Sequence, residues 1–206
     1  KLGCLNERTI AVHCVALSDR DIELLAESGA SVVHCPVSNM RLGCGASPVV
    51  KLLKAGINVA LGTDGAASAC SLSMFEQMRT AGLIAKGFSQ DPTELTVNQI
   101  IRMATINGAN ALKLHCDAGS LAVGKLADLA VIDMSQLVTM PVLDVLSNVI
   151  YAVEAQCVHQ VWVSGSLVAN IQQEKLLRPD RGKLLTKSNI MSWQNRVCEI
   201  LRDDFN

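Results

Sequence analysis

No apolar run in these 206 residues reaches the roughly 18 to 20 needed to span a bilayer. Nor is there a block of Lys and Arg dense enough to neutralise a phosphate backbone: 18 basic against 19 acidic residues leave a formal charge of −1. Neither a membrane nor a nucleic acid is an expected partner. The eight cysteines (Cys4, Cys14, Cys35, Cys44, Cys70, Cys116, Cys157, Cys198) include no C-x-x-C, which removes the usual signature of a structural zinc site or a redox pair. They are spread evenly, and the polar opening Lys1 to Thr9 lacks the apolar stretch of a secretory signal. Reduced thiols and a cytoplasmic compartment are therefore expected. Gly43-Cys-Gly45 is a lone G-x-G with neither the dinucleotide fingerprint nor a phosphate-loop lysine, and no serine sits in G-x-S-x-G. His34-Cys35-Pro36 has the wrong order and spacing for the H-x-E and P-C-x-x-C of zinc nucleobase deaminases.

What is present is material for a core. Half of the residues are apolar and 18% are charged, a balance that excludes disorder. Ile10-Ala-Val-His-Cys-Val15 reads as a strand. Ser18 follows as an N-cap before Ile22, Leu24 and Leu25, with Gly29 as the stop. Ser31 to Cys35 reads as a second strand ending at Pro36. A loop is expected next, then a helix capped at Ser47-Pro48 and closed by Gly56. Ile57 to Leu61 reads as a third strand, with a helix from about Ser71 placing Met74, Phe75, Met78 and Ala81 on one face. A capping box at Thr96 and Gln99 opens one more helix. Strands separated by helices in this rhythm predict parallel β/α units, an open α/β sheet or a piece of a (β/α) barrel. From Gly119 the texture changes to strands joined by glycine turns, notably Ala127 to Asp133 and His159 to Gly165. The tail spaces Ile190, Trp193, Val197, Ile200 and Leu201 on one helical face.

Parallel sheets gather chemistry beyond the carboxyl ends of their strands. Three polar residues fall there: His13, His34 and Asp64. A carboxylate leaving a buried strand into a tight turn needs a cation or several hydrogen bonds; Asp64 therefore reads either as a metal ligand or as a cap for its own turn. His13 sits mid-strand among Val12, Cys14 and Val15, and alternation turns it away from Val12 and Cys14, into a barrel interior or a satisfied core position. His34 has the same setting, and its ring could brace the loop at Pro36 and Ser38-Asn39. His115 and His159 read as structural.

Four strings together, Ala11-Val-His13-Cys-Val15, Val33-His34-Cys-Pro-Val-Ser-Asn39, Leu61-Gly-Thr-Asp64-Gly-Ala-Ala-Ser68 and Gly119-Ser-Leu-x-x-Gly124-Lys-x-Ala-Asp128-Leu, resemble the amidohydrolase superfamily. The likeness is to its chlorohydrolase and aminohydrolase branch, and most to the 5-methylthioadenosine/S-adenosylhomocysteine deaminases. The resemblance implies a (β/α)8 TIM barrel with a small β-sandwich. One divalent metal, Zn2+ or Fe2+, would act on water to deaminate an adenosine-type nucleoside or another heterocyclic amine. It makes Asp64 the metal-ligating and proton-handling aspartate, His13 a catalytic histidine facing the attacking hydroxide, and Asp64 with Ser68 the substrate-side residues. The family's H-x-H occurs nowhere among the 206 positions, so the chain looks like the C-terminal part of such an enzyme, with about three β/α units, and is expected to be inactive alone.

The expected division is a partial barrel over residues 1–118, part of a composite β-sandwich over 119–170, and an extension with a docking helix over 171–206. Three other readings stand beside the deaminase: a purine, guanine or triazine hydrolase of the same branch, a non-catalytic interaction module using an open barrel edge, and a self-contained α/β domain. A homo-oligomer is compatible with all of them.

Overall fold

The computed structural model describes residues 3–170 and 175–176. Contacts divide the chain into two units, one of residues 1–125 with 134–155, the other of 126–133 with 156–206.

The first unit is built on three parallel strands in the order β1 (Ile10–Val12), β2 (Ser31–His34), β3 (Val59–Leu61). Ile10 pairs with Ser31 and Val32 with Val59. The first strand is shorter than its apolar run suggested. His13 and Cys14 both have left-handed backbones (φ 71° and 49°), so the chain turns after Val12 and alternation does not set where His13 points. The His13 N–H still donates to Val33 O at 2.9 Å, which adds one rung to the ladder before the turn.

Helix α1 (Asp19–Ser28) begins as its sequence indicates. Ser18 Oγ accepts from Asp21 N, the Asp21 carboxylate accepts from Ser18 N, and Gly29 closes the helix at φ 70°. The loop expected after Pro36 is instead a helix, α2 (Pro36–Arg41), whose first-turn proline is already set at helical φ. In α3 (Val49–Lys54) the N-cap is Pro48; Ser47 makes no cap, and its buried hydroxyl has no partner. After β3 come α4 (Ala66–Ala69) and α5 (Met74–Ser89), the latter capped by Ser73 rather than Ser71. Thr96 and Gln99 form the capping box of α6 (Val97–Ala104), and α7 (Ile106–Ala111) follows directly. Asn107 of α7 donates to Val59 O at 2.8 Å, which fastens that helix to β3.

The helices bury one face of the sheet in a core that includes Val32, Leu52, Val59, Ile100 and Met103. At Gly62, just past β3, a Cβ would stand 2.7 Å from Val33 Cγ1, so only glycine lets the two strand ends approach.

The expected boundary at residue 118 differs from the contact units because the chain returns. After β4 (Leu129–Ile132), residues 134–155 fold onto the first unit through α8 (Val145–Tyr151), and Arg79 donates to Val153 O at 2.9 Å. The second unit is a four-stranded antiparallel sheet in the order β4, β5 (Val158–Val163), β6 (Ser166–Asn170), β7 (Lys175–Leu176). Ser164 and Gly165, both at positive φ, join β5 to β6 in the two-residue turn that suits strand twist. The apolar spacing from Ile190 to Leu201 lies outside the described residues. Among the described residues no helix is long and apolar enough to cross a membrane.

Candidate functional site

Beyond the carboxyl ends of β1, β2 and β3 the chain assembles a small polar cluster from His13, Ser38, Asn39 and Asp64. Strands β1 and β3 are two spacings apart, about 10 Å, so their terminal residues need a bridge. Helix α2, which follows β2, provides it with two consecutive residues. Ser38 Oγ donates to Asp64 Oδ2 at 2.6 Å, and Asn39 Oδ1 lies 2.8 Å from His13 Nδ1. Ser38 is fully buried and Asn39 is 1% exposed, so both are fixed by packing. Arg41, at the end of α2, donates to Ala67 O and Ser68 O at 3.1 and 2.9 Å, tying α2 to the end of α4.

Asp64 has φ 59°, a conformation aspartate tolerates better than most residues because its short side chain can bond locally. Its Oδ1 accepts from Gly65 N at 2.7 Å. Asp64 therefore ties its own turn, as one of its two readings expects, and is also held from the neighbouring strand's helix. The Ser38 hydroxyl and then the Gly65 N–H hold its carboxyl below the usual aspartate range. The nearby His13 ring and a bond from Ser68 add to the effect, against partial desolvation. His13 and Ser68 thus lie within electrostatic and hydrogen-bonding reach of Asp64, and all three expected site residues fall at one end of the sheet.

Cys35 sits beside them with its thiol pushed up to about 11, first by burial and then by the Asp64 charge, although it also accepts a bond from the Asp64 backbone. It stays a neutral thiol at physiological pH and is no nucleophile.

His34 behaves differently. It is 1% exposed and lines a cavity of about 390 Å³ in the helix layer with Ser47, Val49, Ala81 and Phe88. Burial, then the nearby His13, lowers its pKa to about 4. It is a neutral core histidine. In the sequence Ser38 and Asn39 read as loop residues, and the string His-Cys-Pro-Val-Ser-Asn is the signal that marks them.

A catalytic zinc ordinarily has three protein donors and a water. Among the described residues no group of three His, Cys, Asp or Glu side chains could hold a metal ion. The residues present do not fit a complete metal centre; at most Asp64 offers one oxygen donor.

An amidohydrolase family model matches residues 1–168. A 5-methylthioadenosine/S-adenosylhomocysteine deaminase from Moorella thermoacetica is 46% identical over 168 residues, which cover 82% of this chain and 39% of the relative. A 5'-deoxyadenosine deaminase from Methanosarcina mazei is 40% identical over 187 residues, covering 91% of this chain and 42% of the relative. Among solved structures, an adenosine deaminase from Xanthomonas campestris with bound zinc has a TM-score of 0.85 at 41% identity, over 96% of this chain and 44% of that one. The chain spans less than half the length of each of these proteins.

Proposed function

Because this chain belongs to the amidohydrolase family, we propose that it supplies the carboxyl-terminal strands of a TIM-barrel hydrolytic deaminase acting on an adenosine-type nucleoside. The observation that carries the reading is Asp64: a carboxylate at the end of a buried parallel strand, kept ionised by Ser38 and Gly65, with His13 in reach. The names of the deaminase relatives support the substrate class.

In this reading Asp64 would give one oxygen to a divalent metal, zinc or iron, whose remaining donors would come from outside the described residues. When bound, such a metal supplies a water whose pKa is lowered toward 7. The chain's own contribution is proton handling. The Asp64 carboxylate takes a proton from the attacking water and passes it on towards the departing ammonia, while the free face of His13 orients the attacking oxygen. Ser68, at the end of α4, lies on the substrate side. The antiparallel sheet of the second unit forms part of a β-sandwich. With this one donor among its described residues, the isolated chain is expected neither to hold zinc tightly nor to deaminate.

A chimera tests the reading. The 168 residues of this chain that match the Moorella relative replace their counterparts in it, and ammonia release from 5-methylthioadenosine is followed. Zinc-dependent release is expected, with Asp64→Asn or His13→Ala lowering kcat/KM roughly 10²- to 10⁴-fold, the range of general acid–base contributions. A folded chimera whose turnover survives Asp64→Asn would overturn the reading. So would metal-dependent ammonia release from the 206-residue chain alone that Asp64→Ala abolishes, for the claim that the chain is incomplete.

A further inference from the structure

We infer that Asn39 is a positioning residue that fixes the tautomer of His13, keeping the proton on Nδ1 and leaving Nε2 bare toward the strand-end cluster. The inference rests on the proposed role of His13 but makes a claim of its own about the ring. Three observations carry it.

The atom facing His13 Nδ1 at 2.8 Å is the Asn39 carbonyl oxygen, which can only accept. A neutral imidazole bonded to an acceptor through Nδ1 must carry its single proton there, so Nε2 keeps its lone pair.

Asn39 is also a costly residue in its place. It is 1% exposed, and its Nδ2 has no hydrogen-bond partner. A buried donor left unpaired gives up its bonds to water without replacing them, which lowers stability. The amide is therefore poorly explained by packing, and the bond to His13 is the one its side chain makes.

Finally, the backbone on both sides is locked. Asn39 N donates to Cys35 O at 3.0 Å, and Asn39 O accepts from Cys44 N at 2.9 Å. His13 is held at φ 71° while its N–H remains bonded to Val33 O. A ring on a strained backbone, gripped through one nitrogen by a fixed amide, has one free nitrogen in a defined direction. Bare Nε2 accepts a hydrogen bond from water or from a substrate N–H. The opposite tautomer would present a donor and reverse that preference.

Long-range ¹H–¹⁵N correlation spectra of the ¹⁵N-histidine-labelled 206-residue chain, in alkaline buffer, read the tautomer directly, with the His13 signals assigned by their loss in His13→Gln. The native chain is expected to show His13 with the proton on Nδ1. Asn39→Leu, which removes the acceptor at similar volume, should return the ring to a mixture dominated by the Nε2–H form that free imidazole prefers. Asn39→Asp, which keeps an acceptor oxygen, should restore the Nδ1–H form, a rescue that a merely space-filling role would not show. Unmoved His34 signals report that the fold is intact. If Asn39→Leu does not fold, the native and Asn39→Asp spectra still decide. The inference is overturned if native His13 carries its proton on Nε2, or if its tautomer is the same in folded Asn39→Leu. The readout needs no turnover, so an inactive His13→Ala chimera with the wrong native tautomer sinks this inference alone, and the right tautomer with a fully active His13→Ala chimera sinks the catalytic reading alone.

Discussion

His34 is buried with Nδ1 unpartnered, and its pKa is lowered to about 4 from an ordinary 6.5. Its charge state therefore couples to folding. Above pH 6.5 the ring is neutral in folded and unfolded chains alike and contributes no pH dependence. As pH falls below 6.5 the unfolded chain takes up a proton that the native core refuses, so stability drops until the native ring titrates near 4. A shift of this size corresponds to roughly 3 kcal/mol lost across that window. Urea midpoints measured from pH 7 to 4 should fall accordingly, and His34→Leu should flatten that part of the curve; an unchanged slope in the variant would show that other groups set it. Asp64 responds in the opposite protonation state. Ser38 is the first cause of its lowered pKa. Ser38→Ala is expected to raise the Asp64 titration, followed by the ¹³C shift of its carboxyl, toward the ordinary carboxylate range. A midpoint that stays put would make Gly65 the residue that matters.

At the scale of elements, Gly62 shows how closely the strand ends are fitted. A methyl there would meet Val33 Cγ1 at 2.7 Å and Cys35 Sγ at 3.2 Å. Gly62→Ala is expected to cost roughly 1–3 kcal/mol, the range for overpacking a core, as a lower denaturation midpoint with unchanged slope. Gly165→Ala, with open space around the added methyl, should cost only about 1 kcal/mol, through its left-handed backbone. The same contrast explains what the sequence made legible. The parallel strands, the Ser18 cap, the Thr96 capping box and the Gly29 stop are local signals, written in residues that bond their near neighbours. Helices α2, α4, α7 and α8 run only four to seven residues. Helices that short are marginal on propensity and form through tertiary contacts no local pattern records. Asp64 is legible as a polar residue that ends an apolar run, and His13 as a polar residue within one. Ser38 and Asn39 were not, because what they do depends on partners 26 residues away. The left-handed turn at His13 was hidden by Cys14 and Val15, which extend the β-like pattern past the true strand end.

For the molecule as a whole, β1 and β3 are both edge strands of the parallel sheet, and the two differ in burial. Every residue of β3 is buried, whereas Ile10 and Val12 of β1 are 37% and 49% exposed. Parallel strands ordinarily lie beneath cover on both faces, and an apolar edge strand with free N–H and C=O groups is a template for pairing. The stretch matched to the Moorella relative is 39% of that protein's length, so the relative has ample chain to lie against such an edge. Two consequences can be measured together by sedimentation velocity. The 206-residue chain on its own is expected to associate as its concentration rises, and Val12→Lys, which puts a charge on the edge, should weaken that association roughly ten-fold, about 1.4 kcal/mol. In the chimera with the Moorella segment, where the edge is covered by its own chain, the same concentration series should show far less association, and Val12→Lys should instead lower stability by burying a charge. If the isolated chain sediments as a monomer at every concentration and Val12→Lys changes nothing, the edge is not the open side of a larger barrel, and the three strands stand as a finished α/β domain.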